Sequence, residues 1–240
     1  MKYYSLTNAA NTANFSEAII RGLAPDRGLY FPEKTSRLSE DFLSGLANKT
    51  AVEIGMEVMR PFVGGTIPDD RLEQIVSDTL CFDFPLVPLN EKSASLELFH
   101  GPTMAFKDVG ARFMARCIGY FNEETPKKVT VLVATSGDTG GAVASGFLGI
   151  EGTEIIILYP KGKVSHIQEL QLTTNGNNIR AIEVDGVFDD CQEMVKSAFI
   201  DEDLKAKLNL TSANSINVAR WLPQSLYFFF AYQHLLRQDF

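Results

Sequence analysis

The sequence predicts an α/β fold in which a parallel sheet carries helices on both faces, preceded by a small, mostly helical unit. Between about residues 96 and 184, short β-branched apolar runs alternate with segments of helical periodicity, which is typical of parallel βαβ units. Residues 1–80 instead combine an extended start with three segments whose apolar residues recur at helical spacing. A chain of 240 residues, 45% of them hydrophobic, can bury the core that such a fold needs.

Capping signals predict the three helices of the first unit. Ser39 precedes an apolar helical pattern that runs to Leu46, and serine is a favoured N-cap. Thr50 is followed three residues later by Glu53, which is the spacing of a capping box. Pro68 opens a third helix, where proline is tolerated because the first turn has no use for its missing N–H.

Composition changes suggest three parts of the chain. Pro85 and Pro88 break the helical pattern and mark a boundary. We therefore expect a mostly helical unit at residues 1–84, a sheet domain at 85–216, and the start of a larger domain at 217–240.

The sheet domain is predicted to alternate strands and helices. Strands are expected at residues 95–99, 128–134, 153–159 and 178–184. Helices are expected at residues 107–120, 141–148, 165–173 and 189–200. The strand at 128–134 is nearly all apolar, as in strands covered on both faces. A last apolar and aromatic helix is expected at 217–237.

Charge and cysteine usage exclude several classes of protein. The net charge of -8 argues against nucleic acid or an anionic membrane as partner. The three cysteines are far apart and form no zinc-binding pattern, so no metal site is expected. The amino terminus lacks the apolar core of a signal peptide, and no apolar run reaches the roughly 20 residues of a membrane span. A cytoplasmic protein is expected.

A lysine in the stretch 98–108 is the first candidate for chemistry. Lys107 follows a Gly-Pro turn, has Ala105 and Phe106 as neighbours, and stands at the start of a helix. A helix start disfavours cations, and apolar neighbours disfavour the charged amine, so its pKa should be lowered. Schiff-base chemistry requires the neutral amine. A surface lysine lying along apolar neighbours is the alternative interpretation.

A glycine-rich loop at 134–142 is the second candidate. Glycines at 137, 140 and 141 would let backbone N–H groups approach an anion at the start of the next helix. The loop lacks the GK[ST] of a Walker loop and the GxGxxG of a dinucleotide site. An ordinary tight βα turn with a capping side chain is the alternative. Because both loops join a strand to a helix, both are expected at the carboxyl edge of the sheet, where ligands bind in open α/β folds.

Taken together, the motifs resemble those of a known family. FHGPTMAFKD at 99–108 is similar to the cofactor-lysine motif of the threonine synthase family, and TSGDTGGA at 135–142 is similar to its substrate-carboxylate loop. The stretch 211–227 is similar to its NSIN-x-AR segment, and residues 3–5 and 24–32 to its opening segments. The resemblance covers the whole chain in order. It implies a fold-type II pyridoxal-phosphate enzyme, with the fold of the tryptophan synthase β chain.

The resemblance also implies roles for individual residues. Lys107 would carry the pyridoxal phosphate cofactor as a Schiff base, with Phe106 beside it. Asp138 would lie by the phenolic oxygen of the cofactor, where other fold-type II members usually carry asparagine. The substrate carboxylate would be held by Thr135, Ser136, Gly137 and Thr139.

The reaction implied is the conversion of O-phospho-L-homoserine and water to L-threonine and phosphate. Phosphate would leave from Cγ and water would add at Cβ, while the cofactor ring acts as an electron sink. Lys107 would be the base for the Cα and Cβ protons.

The sequence departs from the family pattern at its carboxyl end. No GNFG-like phosphate-binding motif follows Arg220, so we expect a truncated enzyme that binds the cofactor weakly and makes no threonine alone. Two alternatives stay open, namely another fold-type II lyase such as a serine or threonine dehydratase, and a non-catalytic anion-binding fragment. Asp138 in place of asparagine argues against the dehydratase.

Overall fold

A small antiparallel sheet opens the chain in the computed structural model, which describes residues 1–124 and 128–238. Its strands are β1 (Tyr3–Ser5), β2 (Thr12–Ala13) and β3 (Tyr30–Pro32), in the order β2-β1-β3. Helix α1 (Phe15–Arg21) follows β2 and begins with a capping box between Asn14 and Glu17. The extended start is as predicted, whereas α1 was not predicted.

The three predicted helices of the first unit are present. They are α2 (Glu40–Ser44), α3 (Ala51–Val63) and α4 (Asp69–Thr79), with a 3-10 turn (Leu46–Asn48) after α2. The Ser39 side chain accepts a hydrogen bond from Phe42 N, and Thr50 and Glu53 form the expected capping box. Local side-chain capping therefore places the starts of α2 and α3 as the sequence predicts, and α4 begins directly after Pro68.

A hairpin separates the helical unit from the main sheet. Strands β4 (Leu86–Asn90) and β5 (Ser93–Leu96) pair antiparallel. The strand expected at 95–99 as part of the parallel sheet is therefore wrong in its pairing. Two residues connect β4 to β5, and so short a link allows only antiparallel pairing, because parallel strands need a long crossover.

The main sheet has four parallel strands in the order β8-β7-β6-β9. They are β6 (Val129–Ala134), β7 (Thr153–Pro160), β8 (Ile179–Val184) and β9 (Asn209–Ser212). The first three confirm the prediction. Strand β9 was not predicted, since it is short and polar. The amide of Asn214 continues its pairing with β6, accepting from Ala134 N at 3.2 Å and donating to Ala134 O at 2.8 Å.

Helices cover both faces of this sheet, as predicted. They are α5 (Asp108–Glu124), α6 (Asp138–Phe147), α7 (His166–Thr173), α8 (Phe188–Ile200) and α9 (Glu202–Lys207). On one face, Val131 and Val133 of β6 belong to the large core that includes α5 and α6. On the other face, Leu132 and Ala134 pack in a smaller core with Cys191 of α8. The alternation along β6 explains why all six of its residues are buried.

The last segment is interrupted, although one continuous helix was predicted. It forms α10 (Val218–Trp221), a 3-10 turn (Leu222–Ser225) and α11 (Leu226–Gln238). Pro223 accounts for the break, because proline has no N–H to donate and its ring crowds the preceding turn. Gln233 of α11 donates to Leu46 O at 2.9 Å and to Lys49 O at 2.7 Å, so this helix packs on the first unit. The domain boundaries near residues 84 and 216 stay predictions.

Within residues 1–124 and 128–238, no helix is both long and apolar enough to cross a bilayer.

Candidate functional site

The two predicted loops meet at Lys107. The lysine immediately precedes α5, and its Nζ donates a hydrogen bond to Thr139 Oγ1 in the first turn of α6 at 2.9 Å. The Phe106 ring lies 5.3 Å from the same nitrogen. Partial burial lowers the Lys107 pKa, the charge of Asp138 opposes this change, and the charge of Arg220 adds to it. The lowered pKa expected from the sequence is thus matched by the packing around the amine.

The turn before Lys107 is held by a buried carboxylate. Asp108 accepts from Thr103 N at 3.0 Å and from Thr103 Oγ1 at 2.5 Å. Gly101 lies against this carboxylate, and a Cβ there would fall 2.4 Å from Asp108 Oδ2. Met104 adopts φ +57°, a left-handed backbone conformation that residues other than glycine rarely take. The position of the lysine therefore depends on contacts made within its own loop.

The glycine-rich loop is shaped by a buried hydroxyl. Thr135 Oγ1 accepts from the backbone N–H groups of Gly137 and Gly140, both at 2.9 Å. Gly137 adopts φ +136°, which requires glycine. Ser136 and Asp138 are exposed, whereas Thr135 is buried. Thr135 thus organises the loop, and the predicted carboxylate contacts of Thr135, Ser136, Gly137 and Thr139 stay predictions.

Gln168 joins this site, although no pattern in the sequence marks it as a site residue. Its Nε2 donates to Asp138 Oδ1 at 2.7 Å from the first turn of α7. A capping-box spacing from Ser165 to Gln168 is visible in the sequence, but it predicts only a helix start. The contact spans thirty residues, so only the tertiary fold shows that the two side chains meet.

Arg220 brings a buried positive charge close to the lysine. Its side chain is fully buried, and none of its three guanidinium nitrogens has a hydrogen-bond partner in the described part of the chain. Burial lowers its pKa to about 10, with Tyr227 and Asp108 opposing that change. Buried charges are normally paired. A bound anion would therefore supply the partner that the Arg220 guanidinium lacks among the described residues.

Tyr227 fixes the lysine loop to α11. Its hydroxyl donates a hydrogen bond to the carbonyl of Phe106, and burial raises its pKa well above the usual range. The family-like segment 211–227 thus reaches the site through two side chains, Arg220 and Tyr227.

A separate cavity of about 940 Å³ lies beside β9, and its lining includes none of the predicted site residues. It is lined by the stretch 21–29 and by α8 and α9, and its lining includes Asn214 and Ala134. Because Lys107 and the other predicted site residues lie outside this cavity, the two loops remain the candidate site.

Two protein families match consecutive parts of the chain. Residues 2–80 match the family described as "Threonine synthase N terminus". Residues 81–224 match the family described as "Pyridoxal-phosphate dependent enzyme". Together these matches cover both loops and the segment that carries Arg220.

Two relatives that match nearly the whole chain are threonine synthases. That of Escherichia coli is 42% identical over 235 residues, which is 98% of this chain and 54% of the relative. That of Buchnera aphidicola subsp. Baizongia pistaciae is 41% identical over 240 residues, which is 100% of this chain and 56% of the relative. The chain thus spans about half the length of these relatives.

The fold comparison agrees with these matches. The crystal structure of a threonine synthase from Brucella melitensis with bound pyridoxal phosphate superposes with a TM-score of 0.91 at 40% identity. That match covers 100% of this chain and 53% of the Brucella protein. The chain belongs to the family of pyridoxal-phosphate-dependent enzymes, and within that family it matches the amino-terminal part of threonine synthases.

Proposed function

We propose that this chain supplies the lysine-bearing part of a threonine synthase, which converts O-phospho-L-homoserine and water to L-threonine and phosphate. The observation that carries the proposal is the contact between Lys107 Nζ and Thr139 Oγ1 at 2.9 Å. It joins the lysine motif to the glycine-rich loop, and both motifs belong to the same family resemblance. The 42% identity to the Escherichia coli enzyme supports the choice of reaction.

The residues around Lys107 fit pyridoxal phosphate. An aldehyde requires a neutral amine, and partial burial lowers the Lys107 pKa in the required direction. Lys107 would hold the cofactor covalently, Phe106 would contact its ring, and Asp138 would lie by its phenolic oxygen. When bound, the cofactor supplies an electron sink that stabilises negative charge on substrate carbon.

The chain's own groups would then bind the substrate and move its protons. The amine of Lys107, oriented by Thr139, would take and return protons at Cα and Cβ. The start of α6, with Ser136, Gly137 and Thr139, would hold the substrate carboxylate, because helix starts favour anions. Thr135 would keep this loop in shape through its two bonds to loop amides.

Arg220 would suit an anion at this site. Its guanidinium is buried and unpaired among the described residues. Arginine suits phosphate oxygens, and either the cofactor phosphate or a phosphate-ester substrate would supply them. The preference for threonine synthase over a dehydratase therefore rests on Asp138, where other fold-type II members usually carry asparagine.

The isolated chain is expected to hold the cofactor weakly and to make no threonine. It spans about half of its relatives, and no GNFG-like motif follows Arg220. Without that anchor the cofactor phosphate would contribute little to affinity. The alternative of an anion-binding fragment predicts the same weak affinity, so the lysine itself must be tested.

Reductive trapping tests the role of the lysine. The chain is mixed with pyridoxal phosphate and borohydride, and modified lysines are mapped by mass spectrometry. We expect Lys107 to be modified well ahead of exposed lysines such as Lys196, because its pKa is lowered. The Lys107→Arg variant should lose this one adduct, while slow modification of the other lysines should continue. If all lysines were modified at the same rate, the proposal would be contradicted.

A chimera tests the reaction. This chain replaces the matching 54% of the Escherichia coli threonine synthase, and the product is assayed with O-phospho-L-homoserine and, separately, with L-serine. Release of phosphate together with threonine supports the proposal. Release of ammonia from serine without phosphate release would instead favour the dehydratase.

A further inference from the structure

The carboxamide of Gln168 is oriented by bonds at both of its ends. Its Oε1 accepts from Ser165 N at 3.1 Å and from Ser165 Oγ at 3.0 Å, which closes the capping box of α7. Its Nε2 donates to Asp138 Oδ1 at 2.7 Å. A reversed amide would set its oxygen against the Asp138 carboxylate and its NH₂ group against Ser165 N. The two partners together therefore fix one orientation.

Gly137 provides the space in which this carboxamide lies. A Cβ on Gly137 would fall 2.4 Å from Gln168 Cδ and 2.5 Å from both its Nε2 and Oε1. The glycine thus brings the amide of Gln168 onto the backbone of the loop, next to Asp138. The requirement for glycine at 137 comes both from its φ of +136° and from this contact.

Asp138 in turn lies close to Lys107 in the fold, because it directly precedes Thr139, whose Oγ1 accepts from Lys107 Nζ at 2.9 Å. Two charged groups influence the lysine, Asp138 at the start of α6 and Arg220 on α10, and they act in opposite directions. Asp138 is exposed, so without an anchor its side chain would be free to turn into solvent, where its field is screened. Gln168 supplies such an anchor.

We propose that Gln168 is a positioning residue, which holds the Asp138 carboxylate beside Lys107. Glutamine is required at this capping position because glutamate, which completes a capping box equally well, would place two carboxylates against each other. Helices α1 and α3 carry glutamate at the corresponding position, and there Glu17 and Glu53 pair with the cations Arg21 and Lys49. The catalytic meaning of this contact rests on the proposed role of Lys107.

A double-mutant cycle on the free chain tests the proposal. The pH dependence of Lys107 acylation by acetic anhydride is followed by mass spectrometry in the wild type, Gln168→Met, Asp138→Asn and the double variant. Losing the anchored carboxylate should move the Lys107 midpoint to lower pH and speed acylation about two- to threefold near neutral pH. Gln168→Met should have this effect only while Asp138 is present. An unchanged midpoint, or an equal shift in the Asp138→Asn background, would overturn the proposal.

Ser165→Ala is the matched control for the capping box. It removes the hydroxyl that caps α7 but leaves the Gln168–Asp138 bond, so the Lys107 midpoint should stay in place. A shift in this control as large as that of Gln168→Met would mean that loss of the cap, and not loss of the anchor, moves the lysine.

A second variant keeps the test independent of Lys107. Gln168→Glu retains the capping acceptor but pairs two carboxyl groups, which raises the pKa of one of them. Stability should then fall, relative to the wild type, as pH rises through the range above about 4, and the deficit should vanish at lower pH. Combining Gln168→Glu with Asp138→Asn removes the second carboxylate, so this double variant should show no such deficit relative to Asp138→Asn alone. Equal stability of wild type and Gln168→Glu at pH 7 would contradict the proposed contact.

These readouts use neither cofactor nor turnover. If reductive trapping fails while the cycle holds, the proposed function is wrong and the positioning contact stands. If trapping succeeds while the cycle shows no coupling, only the role of Gln168 is wrong.

Discussion

The adjacent site residues Lys107 and Asp108 carry opposite charges, and burial shifts their pKa values in opposite directions. Burial disfavours the charge on each, so the pKa of Lys107 is lowered and that of Asp108 is raised. Asp108 has two hydrogen bonds from Thr103 to offset that cost, whereas the lysine amine has Thr139. The carboxylate is therefore structural, and the amine is the group left available for chemistry.

Single residues were predictable where a local pattern carried the signal. The glycine-rich loop stands at a strand-to-helix joint, which the alternating pattern locates. Lys107 follows the β4–β5 hairpin instead, and the Gly-Pro turn and helix start around it identified it. Gln168 and Tyr227 were not predicted as site residues, because their partners lie 30 and 121 residues away in the chain. No local pattern encodes such contacts.

Replacing Arg220 by methionine should leave the isolated chain as stable as the wild type or more stable, by about 1 kcal/mol or more. The reason is that methionine fills similar space without a buried charge, and that charge has no described partner. Inorganic phosphate should raise the melting temperature of the wild type but not of Arg220→Met. Urea and thermal unfolding with and without phosphate measure both effects. Arg180→Met, which changes an exposed arginine, should leave the phosphate response intact. A large loss of stability in Arg220→Met would show that the guanidinium supports the fold.

At the scale of elements, predictability followed burial and local capping. Strands β6, β7 and β8 were located from their apolar runs, and α2 and α3 from their caps. Strand β9 was not predicted because Asn209–Ser212 is mostly polar. It forms through pairing with β6, which the Asn214 amide continues. The hairpin of β4 and β5 depends on pairing partners, which a run of apolar residues does not specify.

Helix α5, which follows Lys107, packs closely on α10 at Gly110. A Cβ there would lie 2.3 Å from the Arg220 carbonyl oxygen and 3.0 Å from Gln224 Nε2. We expect Gly110→Ala to cost about 1–3 kcal/mol in the free energy of unfolding, since backbone cannot yield as a flexible side chain can. In the same helix, a Cβ at Gly119 would meet Ile150 Cγ2 at 3.1 Å and, among the described residues, no backbone atom of another element within 4 Å. Gly119→Ala gains about 0.5–1 kcal/mol in helix propensity, which should offset that contact. Urea unfolding of both variants measures the difference, and equal effects would contradict this packing.

At the scale of the whole molecule, α11 has two unlike faces. Tyr227, Phe230 and Gln233 point inward and are buried. The outer stripe consists of large hydrophobic residues that are exposed, namely Phe228, Tyr232, Leu235 and Leu236. Exposed apolar surface that is continuous in this way is uncommon on monomers and favours association. The relatives are about twice as long as this chain.

The isolated chain should therefore self-associate through the outer stripe of α11. Phe228 is 78% exposed and Leu236 is 43% exposed, so charges at these positions should leave the core intact. We expect Phe228→Glu combined with Leu236→Glu to weaken association about tenfold or more, because burying each apolar side chain contributes about 1.5–3 kcal/mol. Sedimentation velocity over a range of concentrations measures the change. Leu6→Glu alters another exposed apolar side chain, 55% exposed and outside the stripe, and should leave association unchanged. A wild-type chain that stays monomeric at high concentration, or a Leu6→Glu variant that dissociates equally, would show that the stripe is not the contact surface.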